Sequence, residues 1–522
     1  MAKAKKNISL ILTVIVGMAI FICAAYNKRV TFCDEIYTYM IVDSGNAAYQ
    51  LAQGKWYLRE QIRDVLSHTE GDSIVQMLRN VKGDSHPPLY YAVVYIFSLL
   101  FGANISKWVA LSVNAIMYLG TLILFWSLLY KLFKSPLMAT IGTLMYEINV
   151  GTLSDAMLLR MYMQLTFFVI AFAYVTLLLY KNKDKLAYYV LLGVITAGGF
   201  LTQFYFCFVA IGFFIIWTIY NIITKKYSRI IKYLVSMVTA VIVDTVVWHY
   251  WISAILFNSD SETIKENALN FANIFNSLFK GILTVQLPIF QNWYIFGSIF
   301  VIALTAWTLL SKRVSRTDED IKLFIASLAG VVWMYGSIVY YLTPDYLLSG
   351  RYFYAASALE YLLIVVCACT LIRAYVPDGV SARAVQAFAV VGGIAINIFI
   401  FFSGDGIDYY TDAQEYDKQR AVLEQYADYP WIICGDETWK ISANYFDYII
   451  PEKLMRITKD SPYRQEAELE QKDGFIIVAE DGENSQSDLG LYYYIGCTGR
   501  FAKSELLFVR NNLAYYFAYP VE

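Results

Sequence analysis

Apolar runs close to the length of a membrane crossing recur along this chain. They lie near residues 8–26, 107–130, 136–150, 160–180, 186–200, 202–223, 230–256, 293–311, 321–342, 351–372 and 384–403. A helix of about 20 apolar residues spans the hydrocarbon core of a bilayer, and inside that core only helices and closed barrels satisfy every backbone polar group. The pattern is therefore that of a polytopic helical membrane protein. Composition agrees, because 58% of residues are hydrophobic and only 16% are charged, where a soluble globule carries about 25% charge. Disorder, a collagen-like repeat and a disulfide-stapled mini-protein are excluded on the same grounds. Nucleic acid is not an expected partner, since the net charge is −2 and the basic residues form short, separated clusters rather than one stripe.

Those clusters set the expected topology, because cytoplasmic loops collect Lys and Arg. Basic groups lie at Lys3, Lys5 and Lys6, at Lys131 and Lys134, at Lys181 to Lys185, at Lys225 to Lys232, at Lys312 to Arg316, and at Arg373 with Arg383. All fall on the inner side if Pro87 to Phe101 dips into the outer leaflet and returns instead of crossing. This gives about 11 crossings with the N-terminus inside and the C-terminus outside. The N-terminal Lys-rich stretch before Ile8 to Tyr26 has the layout of a signal sequence, but its apolar run is long for one and reads as an uncleaved first span. The outer side then receives a first loop over 27–85, the loop from Gly151 to Leu159, the turns at Gly199 to Gln203 and Thr343 to Gly350, and the tail after Ser403. Inner loops are short and basic, so chemistry is expected outside.

The expected domains are a helical transmembrane part, 1–403, and a small extracytoplasmic α/β domain, 404–522. The tail holds 22 acidic and 11 basic residues. Within it, Pro430 to Gly435, Lys453 to Ile457 and Gly474 to Ala479 read as short strands, and Asp412 to Tyr426 reads as a helix. Glu505 to Phe517 reads as a hairpin turning at Asn511-Asn512. The Gly435-Asp436-Glu437 turn is better read as an acidic helix cap than as a ligand-binding loop. Cys434 and Cys497 could pair if the tail is outside the cell, while Cys23, Cys207, Cys367 and Cys369 read as small hydrophobes within apolar runs.

Three polar constellations stand out at the outer ends of spans. Phe32-Cys33-Asp34-Glu35-Ile36-Tyr37 places two carboxylates beside apolar surface just after the first span, where a carboxylate can accept a proton or ligate a metal. A solvated helix cap explains them equally well. Asp84-Ser85-His86-Pro87-Pro88 puts His86 at the start of the dipping helix, because the prolines suit a first turn and block a helix before it. A lone His is more often structural. Asp155, Arg160 and Tyr162 stand where one span begins, and Arg351 and Tyr352 where another does. An arginine at such an entrance either snorkels to the interface or binds an anion such as phosphate. Gln203 and Tyr205 follow Gly198-Gly199, and Trp248-His249-Tyr250-Trp251 adds aromatic groups at the same level, although aromatic belts occur at every bilayer interface.

As a set, FCDEIYTY, HPPLYY running into LLFG, RMY after DAMLL, LTQFYF and GRYFY resemble the GT-C superfamily of polytopic glycosyltransferases. They resemble most the bacterial members of glycosyltransferase family 39, the protein mannosyltransferase and lipid A aminoarabinose transferase type, over roughly Ile8 to Ser403. The resemblance implies a GT-C fold and transfer of a sugar from a polyprenyl-phosphate donor to a lipid, glycan or protein acceptor on the outer face of the membrane. It implies a catalytic role for Asp34, with Glu35 matching the second acid of the pair, and donor-phosphate binding by Arg160 and Arg351. His86, Asp155, Tyr162, Gln203, Tyr205 and Tyr352 are then expected to shape the site or contact substrate. Family 39 types generally work without a metal, so no cofactor is expected, and a divalent metal, used by other GT-C members, is left open. The tail matches no accessory domain of the family. The alternative is a transporter or flippase of a lipid-linked sugar. No internal repeat supports it, and the charges lie mainly at span ends, with Asp244 and Glu360 the deeper ones.

Overall fold

The computed structural model describes residues 2–29, 31–43, 51–68, 72–84, 86–101, 106–181, 184–257, 274–314, 319–343, 349–376, 380–408, 410, 413–435, 444–462, 469, 472–480, 487–510 and 513–521. The chain forms two compact units. The first comprises 1–26, 81–90 and 110–408, and the second 27–80, 91–109 and 409–522. The first of these units thus ends at residue 408, and residues 27–80 group with the tail in the second.

The first unit is helical. Among the described residues, eight segments are long and apolar enough to cross a membrane: Ala4–Asn27, Trp108–Phe133, Tyr162–Tyr180, Phe206–Ile223, Tyr227–Val247, Ile274–Leu310, Glu319–Leu342 and Gly350–Tyr375. Leu186–Phe200 and Val391–Ser403 are shorter apolar helices. The chain is a multi-pass membrane protein. Tyr162–Tyr180 and Gly350–Tyr375 lie inside the bundle, whereas Ala4–Asn27 and Tyr227–Val247 present rows of exposed Ile, Leu and Val, as helices facing lipid would.

The run expected to cross at 136–150 ends its helix at Glu147, and the loop expected from Gly151 to Leu159 is instead mostly a buried helix. A helix Pro136–Glu147 starts with Ser135 accepting from Met138 N and with Pro at its first position, a combination that caps a helix N-terminus. A second helix, Val150–Met157, starts where the Asn149 side chain accepts from Gly151 N. The apolar segment expected to dip is the helix Leu89–Phe101. Its 13 residues extend about 20 Å, short of the ~30 Å core.

Close helix contact is achieved with glycine. A Cβ on Gly281 would lie 2.5 Å from Gly336 O, and one on Gly336 2.6 Å from Gly281 O, so the helices Ile274–Thr284 and Glu319–Leu342 touch backbone to backbone. Small residues at such crossings let membrane helices gain dispersion contacts.

The second unit is built on a mixed sheet. Among the described residues it has six strands, β1 (Trp56–Leu58), β2 (Trp431–Cys434), β3 (Lys453–Ile457), β4 (Phe475–Glu480), β5 (Phe501–Arg510) and β6 (Leu513–Val521), in the order β1-β3-β2-β4-β6-β5. β2 runs parallel to β3 and β4, with Ile432 opposite Met455 and Ile477. All four residues of β2 are buried, the continuous apolar run that a doubly covered parallel strand requires. The strands read from sequence in the tail are these, as is the helix, Ala413–Glu424. β5 and β6 pair as the expected hairpin, with Asn511-Asn512 outside the described residues, as are Asp436-Glu437. Cys434 and Cys497 are both free and buried. They pack in one apolar cluster with Ile477 and Tyr494, so the thiols serve as small hydrophobes and the expected pairing is not formed.

The crossing of glycines gives a direct test. Gly336→Ala should lower unfolding stability in detergent by roughly 1–3 kcal/mol through overpacking. Gly392→Ala, where a Cβ meets nothing within 4 Å, should stay within about 0.5 kcal/mol. Equal melting temperatures for the two variants would show that the Gly281–Gly336 contact is not tight.

Candidate active site

In the first unit, two interruptions in the helices bring polar residues together. The chain bends at Leu158 to Met161 between the helices Val150–Met157 and Tyr162–Tyr180, and at Leu201 to Tyr205 between Leu186–Phe200 and Phe206–Ile223. Each bend frees backbone carbonyls within an apolar bundle, and side chains or neighbouring backbone take them up. Asn114 Nδ2 donates to Ala156 O at 3.0 Å and to Leu158 O at 2.7 Å. Leu89 N donates to Leu201 O at 3.0 Å, which seats the His86-Pro87-Pro88 element on the second bend. Gln164 Nε2 donates to Thr202 Oγ1 at 2.8 Å, tying the two bends to each other.

Arg160 lies in the first bend and is 4% exposed. It stands just before the N-terminus of Tyr162–Tyr180, whose dipole adds partial positive charge. Arg160 Nη2 is 3.4 Å from His86 Nδ1, and the same nitrogen is 3.1 Å from Asp84 Oδ2. One ring nitrogen cannot serve a guanidinium donor and a carboxylate acceptor at once. The shorter contact favours a proton on Nδ1, donated to Asp84. The expected His86 and Arg160 are therefore neighbours, with Asp84 as the balancing charge.

The tyrosines expected from sequence form one cluster. The Tyr162 ring is edge-on to Tyr352 at 6.2 Å and to Tyr354 at 6.1 Å, and Tyr205 meets Tyr352 at 5.9 Å. Arg351, in the short turn Gly350–Phe353 that precedes the helix Tyr354–Tyr375, stands over the Tyr352 ring with Cζ at 5.2 Å, a cation–π arrangement. Tyr335 OH donates to Tyr352 O at 2.8 Å and fixes that turn. Gln203 has a local task, its Oε1 accepting from Phe204 N at 2.7 Å.

Asp155 is buried, and its Oδ2 accepts from Thr166 Oγ1 at 2.6 Å, which joins the helix carrying it to Tyr162–Tyr180. Burial pushes its carboxyl up to about 7, the Thr166 bond opposing part of that rise. Asp408 was not anticipated. It accepts from Tyr354 OH while its own N–H donates to Ser154 Oγ, and burial raises its carboxyl above the ordinary range. No local pattern marks it, because its partners lie 54 and 254 residues away.

Below this level, the first unit contains an apolar cavity of about 340 Å³, lined among others by Met138, Met145, Phe300, Ile364 and Ile396. It shares Asn149, Ile289 and Tyr361 with a small recess lined by Asp155 and Tyr354. The apolar chamber and the recess at Asp155 and Tyr354 thus share a wall.

Asp34 and Glu35 belong to the second unit, in the helix Cys33–Asp43. Glu35 is fully buried. Its Oε2 accepts from Phe32 N at 2.7 Å and its Oε1 pairs with Lys28 Nζ at 3.0 Å. A third-position Glu reaching back to the backbone N–H before the helix is half of a capping box. Both oxygens are committed, so Glu35 sets the helix start and is not available to take a proton from substrate. Asp34, half-buried beside Cys33 Sγ at 3.7 Å, is the carboxylate of the pair with access to solvent. Lys28 was missed in the sequence, where only its place beside the acidic pair hints at a partner. Its ammonium also lies 5.9 Å from the Tyr410 ring.

Guanidinium and tyrosine groups are thus gathered where helices of the membrane unit break. Residues 85–251 match the family profile described as dolichyl-phosphate-mannose-protein mannosyltransferase. The fold is similar to that of ArnT from Cupriavidus metallidurans. The structure of ArnT bound to undecaprenyl phosphate aligns with a TM-score of 0.52 at 10% identity over 97% of each chain. Its apo structure gives 0.51 at 11% identity over the same shares. No curated protein sequence matches the chain significantly. The family match thus covers about a third of the chain, and the likeness to ArnT extends the shared fold along nearly all of it.

The burial of the Asp155 carboxyl yields a pH prediction. The folded carboxyl titrates near 7 and the unfolded one near 3.9. Its contribution is therefore fully present below about pH 4 and is lost as pH rises through about 7. Asp155→Asn keeps an acceptor for Thr166 and removes the titration. Its melting temperature should fall less between pH 5 and 8 than that of the wild type. Parallel pH curves for the two proteins would remove Asp155 as the cause.

Proposed function

We propose that the protein transfers a sugar from a polyprenyl-phosphate donor to a lipid, glycan or protein acceptor on the outer face of the membrane, with its N-terminus cytoplasmic and its tail extracytoplasmic. The observation that carries this reading is the apolar cavity that shares Asn149, Ile289 and Tyr361 with the recess at Asp155 and Tyr354, in the same unit as the buried Arg160. Such an arrangement suits a molecule that is a hydrocarbon at one end and a phosphate-linked sugar at the other. The undecaprenyl phosphate bound in the ArnT structure is of that class and supports the choice of donor.

In this mechanism an acceptor hydroxyl oxygen attacks the anomeric carbon and forms the new glycosidic bond as the bond from that carbon to the phosphate oxygen breaks. The electron pair leaves on the lipid phosphate, whose negative charge grows. Arg160, supported by the N-terminus of Tyr162–Tyr180, and Arg351 stabilise that charge as it develops. Asp34 takes the proton of the attacking hydroxyl, the role the resemblance assigns to it, while Glu35 holds the helix that carries it. A single displacement inverts the anomeric centre. The tyrosine cluster at Tyr162, Tyr205 and Tyr352 offers faces on which a sugar ring stacks, and the Asp84–His86 pair stands beside Arg160. No metal is needed at the reacting atoms, since the cation that receives the leaving phosphate is arginine.

Two variants test the assignments. Asp34→Asn should lower kcat by at least ~100-fold, the lower range for a lost general base, with unchanged membrane insertion and melting temperature. Undiminished transfer by Asp34→Asn would take the base role away from it. Arg351→Ala should raise KM for a synthetic polyprenyl-phosphate sugar by roughly 10–100-fold, as loss of a charged contact does. A wild-type KM in that variant would reject phosphate binding by Arg351.

A further inference from the structure

Away from the residues used above, the second unit holds a group of side chains without an assigned task. Asp43 is the last residue of the helix Cys33–Asp43, His68 follows the helix Arg59–Leu66, and Asp72 precedes the helix Ile74–Lys82. One ligand-type atom from each lies within 4.8 Å of the other two. Asp43 is 2% exposed. Its Oδ1 faces His68 Nδ1 at 3.5 Å, and neither of these buried atoms has a hydrogen-bond partner.

That distance is informative. It exceeds the 2.7–3.2 Å of an N–H···O bond, yet it is close to the ~3.3 Å that separates two ligands on one tetrahedral ion with bonds near 2.05 Å. Two buried polar atoms set side by side, neither with a hydrogen-bond partner, are costly to bury unless a cation lies between them. The surroundings also have the form of outer supports for ligands. The Ser98 side chain hydrogen-bonds the Asp43 carboxyl, and Tyr95 packs edge-on against the His68 ring with centroids 5.5 Å apart. Contacts of this kind orient ligating groups. Asp72 is partly exposed and stands at the solvent side, where an ion would enter.

We propose that Asp43, His68 and Asp72 bind one divalent transition-metal ion, preferentially Zn²⁺, with water completing the coordination. Two carboxylates and one imidazole suit Zn²⁺ or Mn²⁺ rather than a thiolate-seeking ion, and the divalent affinity series favours Zn²⁺ of those two. The ion would tie three stretches of the first external loop to one point. It would also fix the C-terminal end of the helix whose N-terminal end carries Asp34, so its role is to position that helix. The proposal does not depend on the transferase reading.

The test uses the full-length protein in detergent without a polyhistidine tag. It is stripped with chelator, dialysed against Zn²⁺ alone and analysed for metal content and melting temperature. The expected result is about one Zn²⁺ per chain, a higher melting temperature with Zn²⁺ than without, and Zn²⁺ affinity reduced by ~10-fold or more in both His68→Ala and Asp72→Asn. Asp72→Asn alters a partly exposed side chain and should fold even if His68→Ala does not. A stripped wild-type protein that takes up no Zn²⁺, or an Asp72→Asn variant with wild-type Zn²⁺ affinity, would overturn the proposal.

Discussion

A helix in an apolar bundle can be interrupted only if the backbone groups it abandons find other partners, because an unsatisfied carbonyl or N–H in that setting costs several kcal/mol. The first unit meets this condition at its two bends. Asn114 supplies both hydrogens of one amide to the carbonyls of Ala156 and Leu158, and the backbone N–H of Leu89 closes the carbonyl of Leu201. Once the bends are stable, Arg160 and Tyr205 leave the helix walls and can point inward. Asn149 does similar work at a third interruption. Its side-chain oxygen caps Val150–Met157, and its amide nitrogen donates to Ile289 O and Asn397 Oδ1. The polar cluster is thus a consequence of satisfied breaks, and the functional groups occupy the space those breaks create.

This explains which parts could be read from the chain. Hydropathy located the helices because lipid and core both demand long apolar runs, and charge placement put His86, Arg160 and Arg351 at span ends. The tail strands were legible because Trp431 to Cys434 and Phe475 to Ala479 are short, continuous and buried. What escaped notice depends on pairing at a distance. The break after Glu147 looked like an uninterrupted apolar run, since an Asn cap between Ile148 and Val150 barely changes hydropathy. Glu35 looked like half of a reactive pair because its ties to Phe32 N and Lys28 are set by geometry. Asp408 and Asn114 carry no periodic or motif signal at all.

The strand β1 is the clearest case of structure that sequence conceals, and it changes how the tail is understood. Three residues, Trp56 to Leu58, are too few to show alternation, yet they pair antiparallel with Lys453 to Met455 in β3. Without them β3 would present an open edge, the feature that invites unwanted pairing. Further contacts run beside the strand. Arg59 donates to the carbonyls of Ile450 and Pro451, Arg29 pairs with Asp417, and Tyr39 packs edge-on to Phe446. The helix carrying Asp34 is therefore flanked before its start by Arg29 on Asp417 and along its length by Tyr39 on Phe446. The tail is no mere appendage, since it supplies the sheet and the side chains on which the first loop folds. The position of the acid expected to take the acceptor proton is then set by residues some 400 positions further along the chain, which is why no accessory-domain pattern needed to be visible in the tail for it to matter.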